Sequence, residues 1–410
     1  MLVSFAVRNY GPFRDETTLS MQCTNGTELP CNVLRCDSIE DGILATAAVF
    51  GPNASGKSYL LKGLKVLKRT VKNTKAKREE IYGYEPFRLS EETLKAPCEL
   101  RLTLALSEGI FEYYLAFNSK EIVKEHLLDV TVKDKVVFTR DTDRIETPGC
   151  VDVRDKTTTT SAYLTVASQF NDDLCNRIYD SIMNIDYIDW DEPNDRIMTS
   201  YRYFEEHEEV KDTVLDGLKA ADFNISNIRG ETNTHFMELL KKEMISLKID
   251  ETMIQPPLDL YLTHNFTDVP ARLQEFPMEI ESNGTKNMFG IMGPIARALK
   301  DGRTVIIDEF GSSLHPVLTR WILGLFKSEF NTNNAQLIVN THDLSLMDIQ
   351  KVLRRDQIYF VNRDRKTGKS ELYSLSDFKG VRKDSNVLKD YLFGRFDAVP
   401  NVVALRRRWA

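Results

Sequence analysis

One eight-residue segment constrains the fold of this chain more than any other. Residues 51–58 read Gly-Pro-Asn-Ala-Ser-Gly-Lys-Ser, which matches the GxxxxGK[ST] pattern of a phosphate-binding loop. Glycines let the backbone N–H groups of such a loop turn toward a phosphate. The residues expected to contact a bound nucleotide are Gly51, Asn53, Ser55, Gly56, Lys57 and Ser58.

The segments on either side of the loop support this interpretation. Residues 45–50 are an apolar run typical of a buried strand, and residues 59–67 have helical periodicity. A strand, a glycine loop and a helix in this order place the positive end of the helix dipole at the phosphates. We therefore expect Lys57 to contact the β- and γ-phosphates of ATP and Ser58 to bind Mg²⁺.

Two later apolar runs end in polar side chains. Residues 304–309 are a predicted strand that ends in Asp308 and Glu309, and residues 335–342 are a second one that ends in His342. Each would also fit an acidic turn or an ordinary core histidine. Beside a phosphate loop, Asp308 is expected to bind Mg²⁺, Glu309 to act as general base on water, and His342 to contact the γ-phosphate.

These motifs together resemble the ABC-type ATPase heads, and in particular the branch of SMC-type, RecF-like and OLD-type proteins. In that branch a Ser-x-Gly signature segment precedes the Asp-Glu strand, and here it corresponds to Ser282 and Gly284. The resemblance implies that the signature contacts the γ-phosphate held by a second copy, so that two heads enclose two ATP molecules. It implies a homodimer, with higher oligomers left open. Without this context, Ser-Asn-Gly-Thr would be a simple turn signal. Residues 311–316 match the interface loop of the same branch.

Three further segments look similar to one subgroup of these proteins. Residues 5–16, 84–89 and 391–400 resemble the AAA-labelled, ABC-like ATPases of prokaryotic defence loci, such as RloA-like and AriA-like proteins. This resemblance implies an ATPase that acts as the sensor or regulatory subunit of a phage-defence system. It also implies a partner effector protein, such as a Toprim-type nuclease.

One departure from the ABC pattern concerns a glutamine that binds Mg²⁺ and the attacking water. No glutamine occurs between Ser58 and Ser168, and Gln169 comes late in the expected order. Glu85 or a water molecule would then fill this position. This departure keeps an alternative function open, namely a scaffold protein that hydrolyses ATP slowly and that ATP switches between two forms.

The resemblance to ABC-type heads and the periodicity of the sequence together predict the organisation of the chain. We predict an α/β fold, namely a P-loop ABC-type head with a mixed or parallel sheet, an antiparallel β lobe and a helical insert. The head would comprise residues 1–155 and 256–410, and the insert residues 156–255. Further elements predicted are strands at 98–106, 110–117, Val130–Lys133 and Val136–Thr139, and helices at Asn171–Met183, Ser200–Ala221, Thr234–Ser246 and Val317–Phe326.

Composition narrows the remaining choices. With 410 residues, 42% apolar residues and a net charge of −7, the chain is an ordinary globular protein and is not uniformly basic. No apolar run approaches a membrane span of roughly 20 residues, so we expect a cytoplasmic protein without a membrane partner. Six cysteines are too few for a disulfide scaffold, and Cys23, Cys31 and Cys36 lack zinc-site spacing.

A basic stretch after the phosphate loop keeps a DNA-binding function open. It contains Lys62, Lys65, Lys68, Arg69, Lys72, Lys75, Lys77 and Arg78, and residues 406–408 add three arginines at the other end. Such a stretch would bind DNA phosphates in a repair or recombination ATPase, or be a solvated helix face. A Toprim nuclease within this chain is not expected, because Asp364 lacks a second aspartate at the required spacing.

Overall fold

The computed structural model describes residues 1–24, 26–72, 81–131, 133–142, 144–190, 192–221, 223–233, 258–265 and 272–399. These form two compact units. The first unit is Met1–Trp190 with Ala298–Ala410, and the second is Asp191–Arg297. The predicted helix Thr234–Ser246 and the arginines of residues 406–408 lie outside the described residues.

An antiparallel sheet of seven strands forms one layer of the first unit, in the order β10-β9-β8-β7-β6-β1-β2. Its strands are β1 (Leu2–Arg8), β2 (Thr17–Ser20), β6 (Cys98–Leu106), β7 (Gly109–Phe117), β8 (Ile122–Asp129), β9 (Lys135–Asp141) and β10 (Arg144–Glu146). Alternating burial along β6 and β7 reflects the alternating sequence that predicted them. A separate hairpin joins β3 (Val33–Cys36) to β4 (Ile39–Leu44).

The strand predicted at Val130–Lys133 is wrong, because β8 ends at Asp129. The carboxylate of Asp129 accepts hydrogen bonds from the backbone N–H and the hydroxyl of Thr131, at 3.1 and 2.6 Å. A side chain that bonds the backbone two residues later forms a turn and stops the strand. Apolar residues alone did not reveal this turn.

A second sheet of six strands carries the phosphate loop, in the order β11-β15-β16-β5-β17-β18. Its strands are β5 (Thr46–Phe50), β11 (Ile185–Ile188), β15 (Thr304–Phe310), β16 (Gln336–Thr341), β17 (Ile358–Arg363) and β18 (Ser370–Ser374). All pairings are parallel except that of β17 with β18. The strands predicted at 45–50, 304–309 and 335–342 are confirmed, and β5 lies between β16 and β17.

Helices of the first unit cover these sheets. They are α1 (Lys57–Lys72), α2 (Glu91–Leu94), α3 (Tyr163–Gln169), α4 (Asp173–Met183), and, later in the chain, α8 (Pro316–Leu325) and α9 (Val387–Leu392). The apolar side chains of α3 and α4 belong to the same core as those of α1. Residues 156–190 therefore lie in the first unit, which differs from the predicted insert of residues 156–255.

The second unit combines helices with a small antiparallel sheet. It contains α5 (Pro193–Glu206), α6 (Glu208–Ala220), α7 (Asn283–Asp301) up to residue 297, and the sheet of β12 (Ile225–Thr232), β13 (Leu258–Asn265) and β14 (Leu273–Pro277). The segment near residue 258, where we predicted that the chain returns to the head, instead contains β13, the central strand of this small sheet. The helix predicted at Ser200–Ala221 is two helices, because His207 has extended backbone angles between them.

A hydroxyl interrupts the backbone hydrogen bonds of α7. The Ser200 hydroxyl donates to Phe289 O at 2.5 Å and accepts from Gly293 N at 3.1 Å, so it replaces one direct bond of the helix. The next residue is Pro294, which has no N–H to donate. A Cβ atom on Gly293 would lie 2.5 Å from Ser200 Cα, so only glycine permits this close approach of α5 and α7.

Within the described residues, no helix combines the length and the apolarity that a membrane span requires.

Candidate functional site

The phosphate loop joins β5 to α1, and its backbone accounts for its glycines. Gly51 has a φ of +151°, and a Cβ atom there would lie 2.3 Å from Val361 O. Gly56 has a φ of +111°, and a Cβ atom would lie 2.7 Å from Pro12 Cγ. Larger residues are excluded at both positions by strain and by collision. The loop therefore exposes backbone N–H groups at the start of α1, which suits an anion.

Two side chains of the loop, those of Ser55 and Asn53, differ in their exposure to solvent. Ser55 is buried, and its Oγ has no hydrogen-bond partner among the described residues. Asn53 is exposed at the tip of the loop. A buried hydroxyl without a partner is costly, so a phosphate oxygen near the loop would supply what Ser55 lacks.

Lys57 is buried at the first position of α1. Its Nζ donates to the carbonyl oxygens of Gly51 and Pro52 at 2.9 and 3.0 Å. Burial lowers the pKa of Lys57, and the nearby carboxylates of Asp308 and Glu309 oppose that effect. The ammonium group is thus held beside the loop, where a phosphate would be its natural partner.

The predicted magnesium ligands meet at the carboxyl ends of β15 and β16. Ser58 Oγ donates to Asp308 Oδ1 at 3.0 Å, although the two residues are 250 positions apart. Asn340 Nδ2 donates to the same Oδ1 and to Ser58 Oγ. Hydroxyl and carboxylate oxygens are the ligands that Mg²⁺ prefers, so this pair fits the ion. Sequence reasoning missed Asn340, which stands two residues before His342.

Glu309 has an unusual backbone conformation near the end of β15. Its φ is +52°, and the pairing of β15 with β16 is irregular between Ile307 and Phe310. Its backbone N–H donates to Asn340 Oδ1 at 2.5 Å, so the same amide holds both acids. The bulge leaves Asp308 buried and the side chain of Glu309 exposed. An exposed carboxylate beside the loop can reach a water molecule.

A tyrosine from the neighbouring strand completes the surroundings of Asp308. Tyr187 lies on β11, which pairs with β15, and its hydroxyl donates to Asp308 Oδ2 at 3.2 Å. Burial, followed by the charge of Asp308, raises the pKa of Tyr187. The tyrosine is therefore protonated and acts as a hydrogen-bond donor. Sequence reasoning missed Tyr187, because only the strand order shows that β11 adjoins β15.

The two residues considered in place of the absent glutamine lie elsewhere. Gln169 is exposed at the end of α3. Glu85 accepts a hydrogen bond from the Tyr59 hydroxyl at 2.9 Å. Of the three side chains, Tyr187 is the one that contacts Asp308.

A cavity of about 450 Å³ adjoins the phosphate loop. It is lined by loop residues and by Tyr59, Glu85, Phe87, Arg88, Leu89 and Arg363. The predicted segment at residues 84–89 thus forms one wall. Aromatic and apolar surfaces with two arginines suit the base and sugar of a nucleotide.

His342 follows β16 at the same sheet edge. Desolvation and the positive charge of Lys57 lower its pKa. The imidazole is therefore uncharged at neutral pH. It lies close enough to Lys57 for the positive charge of that side chain to act on it. A neutral imidazole can donate one hydrogen bond to a phosphate oxygen.

The signature segment lies in the second unit. Ser282 Oγ accepts from Thr285 N at 3.1 Å and caps α7, as its sequence position predicts. Ser282 itself is exposed, and Gly284 lies in the first turn of the helix. Any role of Ser282 and Gly284 toward a nucleotide stays a prediction.

The predicted interface loop at residues 311–316 contains tight turns. Gly311 and Ser313 have φ values of +91° and +65°. His315 then caps α8 through its Nδ1, which accepts from Val317 N at 3.2 Å. Val317 is 64% exposed, so this helix start is open to another molecule.

The basic stretch is partly used inside the protein. Lys65 pairs with Asp189 at 3.1 Å, and Lys68 donates to the carbonyl oxygens of Met183 and Ile185. Arg69 stacks on Tyr82. These contacts hold α1 against α4 and β11, so that face is not an open surface for DNA. Lys75, Lys77 and Arg78 lie outside the described residues.

A family model matches residues 47–348, which is more than half of the chain. Its description is "AAA domain, putative AbiEii toxin, Type IV TA system". The chain belongs to this AAA-domain family. The match spans the phosphate loop and the strands that end in Asp308 and His342, and the sheet has the α/β P-loop arrangement that the motifs predicted. The ABC-type assignment stays a prediction. The finer likeness to RloA-like or AriA-like proteins stays a prediction.

Three solved structures that match the chain are SMC heads. One is the SMC head domain from Thermotoga maritima, which is 12% identical with a TM-score of 0.39; the match covers 91% of this chain and 98% of that domain. An Smc head bound to the C-winged helix domain of ScpA is also 12% identical, with a TM-score of 0.45 and coverages of 91% and 97%. A Pyrococcus furiosus Smc head bound to the C-terminal domain of ScpA has a TM-score of 0.40 at the same 12% identity, with coverages of 91% and 96%. No curated protein matches the chain.

Proposed function

We propose that this AAA-family protein binds ATP with Mg²⁺ and hydrolyses it, and that ATP switches it between two assembly states. The observation that carries the proposal is the cluster at one sheet edge. Lys57, Ser58, Asp308 and Asn340 meet there beside a glycine loop with a partnerless buried hydroxyl. Side chains from two strands, β15 and β16, and from the start of α1 converge on one place without an evident structural need.

Each residue has a distinct task in this proposal. Lys57 and the loop N–H groups hold the β- and γ-phosphates, while His342 donates to the γ-phosphate. Ser58 and Asp308 hold the magnesium ion, which neutralises charge on the phosphates. Glu309 takes a proton from the attacking water as general base. Asn340 keeps the two acids in place, because its amide contacts Asp308 and the Glu309 backbone.

The assembly step rests on the signature segment. Ser282 and the start of α7 offer an exposed hydroxyl and a helix N-terminus, which attract an anion. We propose that this segment contacts the ATP of a second copy, so that two heads close on two nucleotides. The exposed start of α8 at Val317 supports a second contact in the same dimer.

The family description supports a proposal for the biological role. That description refers to a putative toxin and a type IV toxin–antitoxin system. We propose that the chain is the cytoplasmic regulatory subunit of a phage-defence system, and that the ATP-bound dimer restrains or recruits an effector of the nuclease class. The RloA-like and AriA-like resemblance in residues 5–16, 84–89 and 391–400 supports this role.

Turnover and assembly measured together test the ATP cycle. We expect wild-type protein to hydrolyse ATP in multiple turnovers, and Glu309→Gln with Mg-ATP to double its mass by light scattering. Lys57→Ala is the matched control that should stay at the mass seen without nucleotide. A Glu309→Gln protein that hydrolyses at the wild-type rate would refute the assignment of the base.

Recovery of Glu309→Gln from its native host with Mg-ATP tests the partner. A nuclease-class protein at stoichiometric level, absent from the Lys57→Ala sample, is the expected result. DNA alone, released by moderate salt, would favour a repair ATPase instead. A bare dimer would refute the effector claim and leave the ATP cycle intact.

A slowly hydrolysing switch is the second candidate function. Tyr187 is the side chain that β11 places on Asp308, beside the proposed magnesium ligands. A tyrosine hydroxyl has one proton to donate, and here Asp308 accepts it, so the hydroxyl can meet the attacking water only as an acceptor, whereas a glutamine amide offers both a donor and an acceptor. A single turnover per binding event, with slow product release, would support this candidate over a continuously cycling enzyme.

A further inference from the structure

Three potential metal ligands meet in the first unit, away from the phosphate loop. The Sγ atoms of Cys150 and Cys175 and a carboxylate oxygen of Asp172 all lie within 4.8 Å of one another. Cys175 is fully buried, while Cys150 and Asp172 are partly exposed. It is the one such group of His, Cys, Asp or Glu ligands within the described residues.

The segments that carry these ligands are fixed by hydrogen bonds to the same carboxylate. Asp172 accepts from Cys175 N and from Val151 N, both at 2.9 Å, and so caps α4 and holds the neighbour of Cys150. The Tyr163 hydroxyl donates to Val151 O at 2.6 Å and accepts from Val153 N at 3.1 Å. The residues that directly follow Cys150 are therefore held in place before any ion binds. Supporting contacts of this kind orient the ligands of metal sites.

The chemistry of the donors selects the cation. Two sulfur ligands exclude Mg²⁺ and Ca²⁺, which take oxygen ligands. Two thiolates and a carboxylate suit zinc, which accepts both sulfur and oxygen in a tetrahedral site. We propose that Cys150, Asp172 and Cys175 bind one zinc-class divalent cation, with a water molecule as the fourth ligand on the exposed side.

Binding would release the two thiol protons to solvent, because thiolates are the ligands. The ion would join the loop after β10 to the start of α4, whose apolar residues share a core with α1. The site is independent of the proposed ATP cycle, because none of its ligands contacts the phosphate loop residues that carry that cycle.

A titration with Zn²⁺ and with Co²⁺ tests this site on the full chain. Metal-free protein under reducing conditions should bind one Zn²⁺ per chain, and Co²⁺ should give the absorption of thiolate-to-cobalt charge transfer. We expect Cys150→Ser and Cys175→Ser each to lose this absorption and to weaken Zn²⁺ binding by about 10–100-fold or more. Cys36→Ser removes one thiol outside the cluster and should leave the titration unchanged.

Asp172→Asn separates binding from folding. Asparagine is also a good N-cap, so the start of α4 should stay intact while a charged ligand is lost. The amide nitrogen of asparagine cannot accept the hydrogen bond from Val151 N, so we expect a slightly lower melting temperature without metal, together with a weaker Zn²⁺ affinity. The proposal is overturned when wild type binds no more Co²⁺ than Cys150→Ser. It is also overturned when the two thiols form a disulfide with oxidised glutathione but bind neither metal.

Discussion

The two parts of the candidate site differ in how complete they are within one chain. Around the phosphate loop, Lys57, Ser58, Asp308 and Asn340 already contact one another or the loop backbone. At the signature, Ser282 is exposed, and its one shown task is to cap α7. The first part is assembled to receive a ligand from solution. In the proposed dimer, the second part would meet a nucleotide held by another copy.

The largest effect is expected when the phosphate loop loses the positive charge of Lys57. Lys57→Ala should reduce both ATP binding and hydrolysis to background, because several charge-assisted contacts to phosphate disappear together. Equilibrium binding of a fluorescent ATP analogue measures the first loss. Lys62→Ala makes the same change one turn further along α1 and should bind as wild type does. Equal binding by both variants would show that the loop does not hold phosphate.

Glu309→Gln should separate binding from chemistry within the assembled part. We expect hydrolysis to fall by about 10²–10⁴-fold, the usual contribution of a general base, with ATP binding retained. Steady-state phosphate release measures the rate. Glu371→Gln, at an exposed position of β18, is the control that should keep the wild-type rate. A loss of less than tenfold would move the role of base to another residue.

Changes at Ser282 test whether the exposed part acts between copies. Ser282→Asp keeps a good cap on α7 but adds negative charge where a phosphate is expected. We expect the melting temperature to stay unchanged, ATP binding by single chains to persist, and hydrolysis to fall about tenfold or more because the dimer cannot close. Ser282→Arg should lose the cap as well, at about 1 kcal/mol of folding stability. Unchanged hydrolysis in Ser282→Asp would remove the signature from the mechanism.

The smallest effect is expected at Tyr187. Tyr187→Phe removes one hydrogen bond to the Asp308 carboxylate. At 3.2 Å this bond is long, so we place it at the low end for bonds to charged groups, about 1.5 kcal/mol, and expect the Mg²⁺ dependence of hydrolysis to shift by about tenfold or less. A merely structural tyrosine would change stability but not the Mg²⁺ concentration at half-maximal rate. Tyr82→Phe, at an exposed position, should change neither.

What the sequence predicted well was local. The strand before the loop, α1 and the apolar strands that end in Asp308 and His342 follow from short patterns of burial and charge. The cap by Ser282 also depends on neighbours in the chain. Each of these features needs information from about ten consecutive residues, which the sequence displays directly.

The contacts that the sequence did not reveal join residues that are far apart in the chain and are brought together by the order of the strands. Tyr187 contacts Asp308 because β11 pairs with β15, and Asn340 contacts Ser58 because β16 lies between β15 and β5. The insert began too early in the prediction because α3 and α4 have ordinary amphipathic patterns, which do not show that they pack on α1. A polar residue in an apolar strand, such as Asn340, was the one available signal.

The position of β5 has a consequence for how the protein is made. Its partners are β16 and β17, where Thr46 pairs with Leu337 and Ala48 pairs with Ile358. At a synthesis rate of roughly 5–20 residues per second, residue 358 is added about 15–60 s after residue 50. For most of that time a strand that is fully buried in the folded protein has neither neighbour, and it is a target for chaperones or for aggregation. The nucleotide-binding loop therefore leaves the ribosome well before the strands that hold β5 in place.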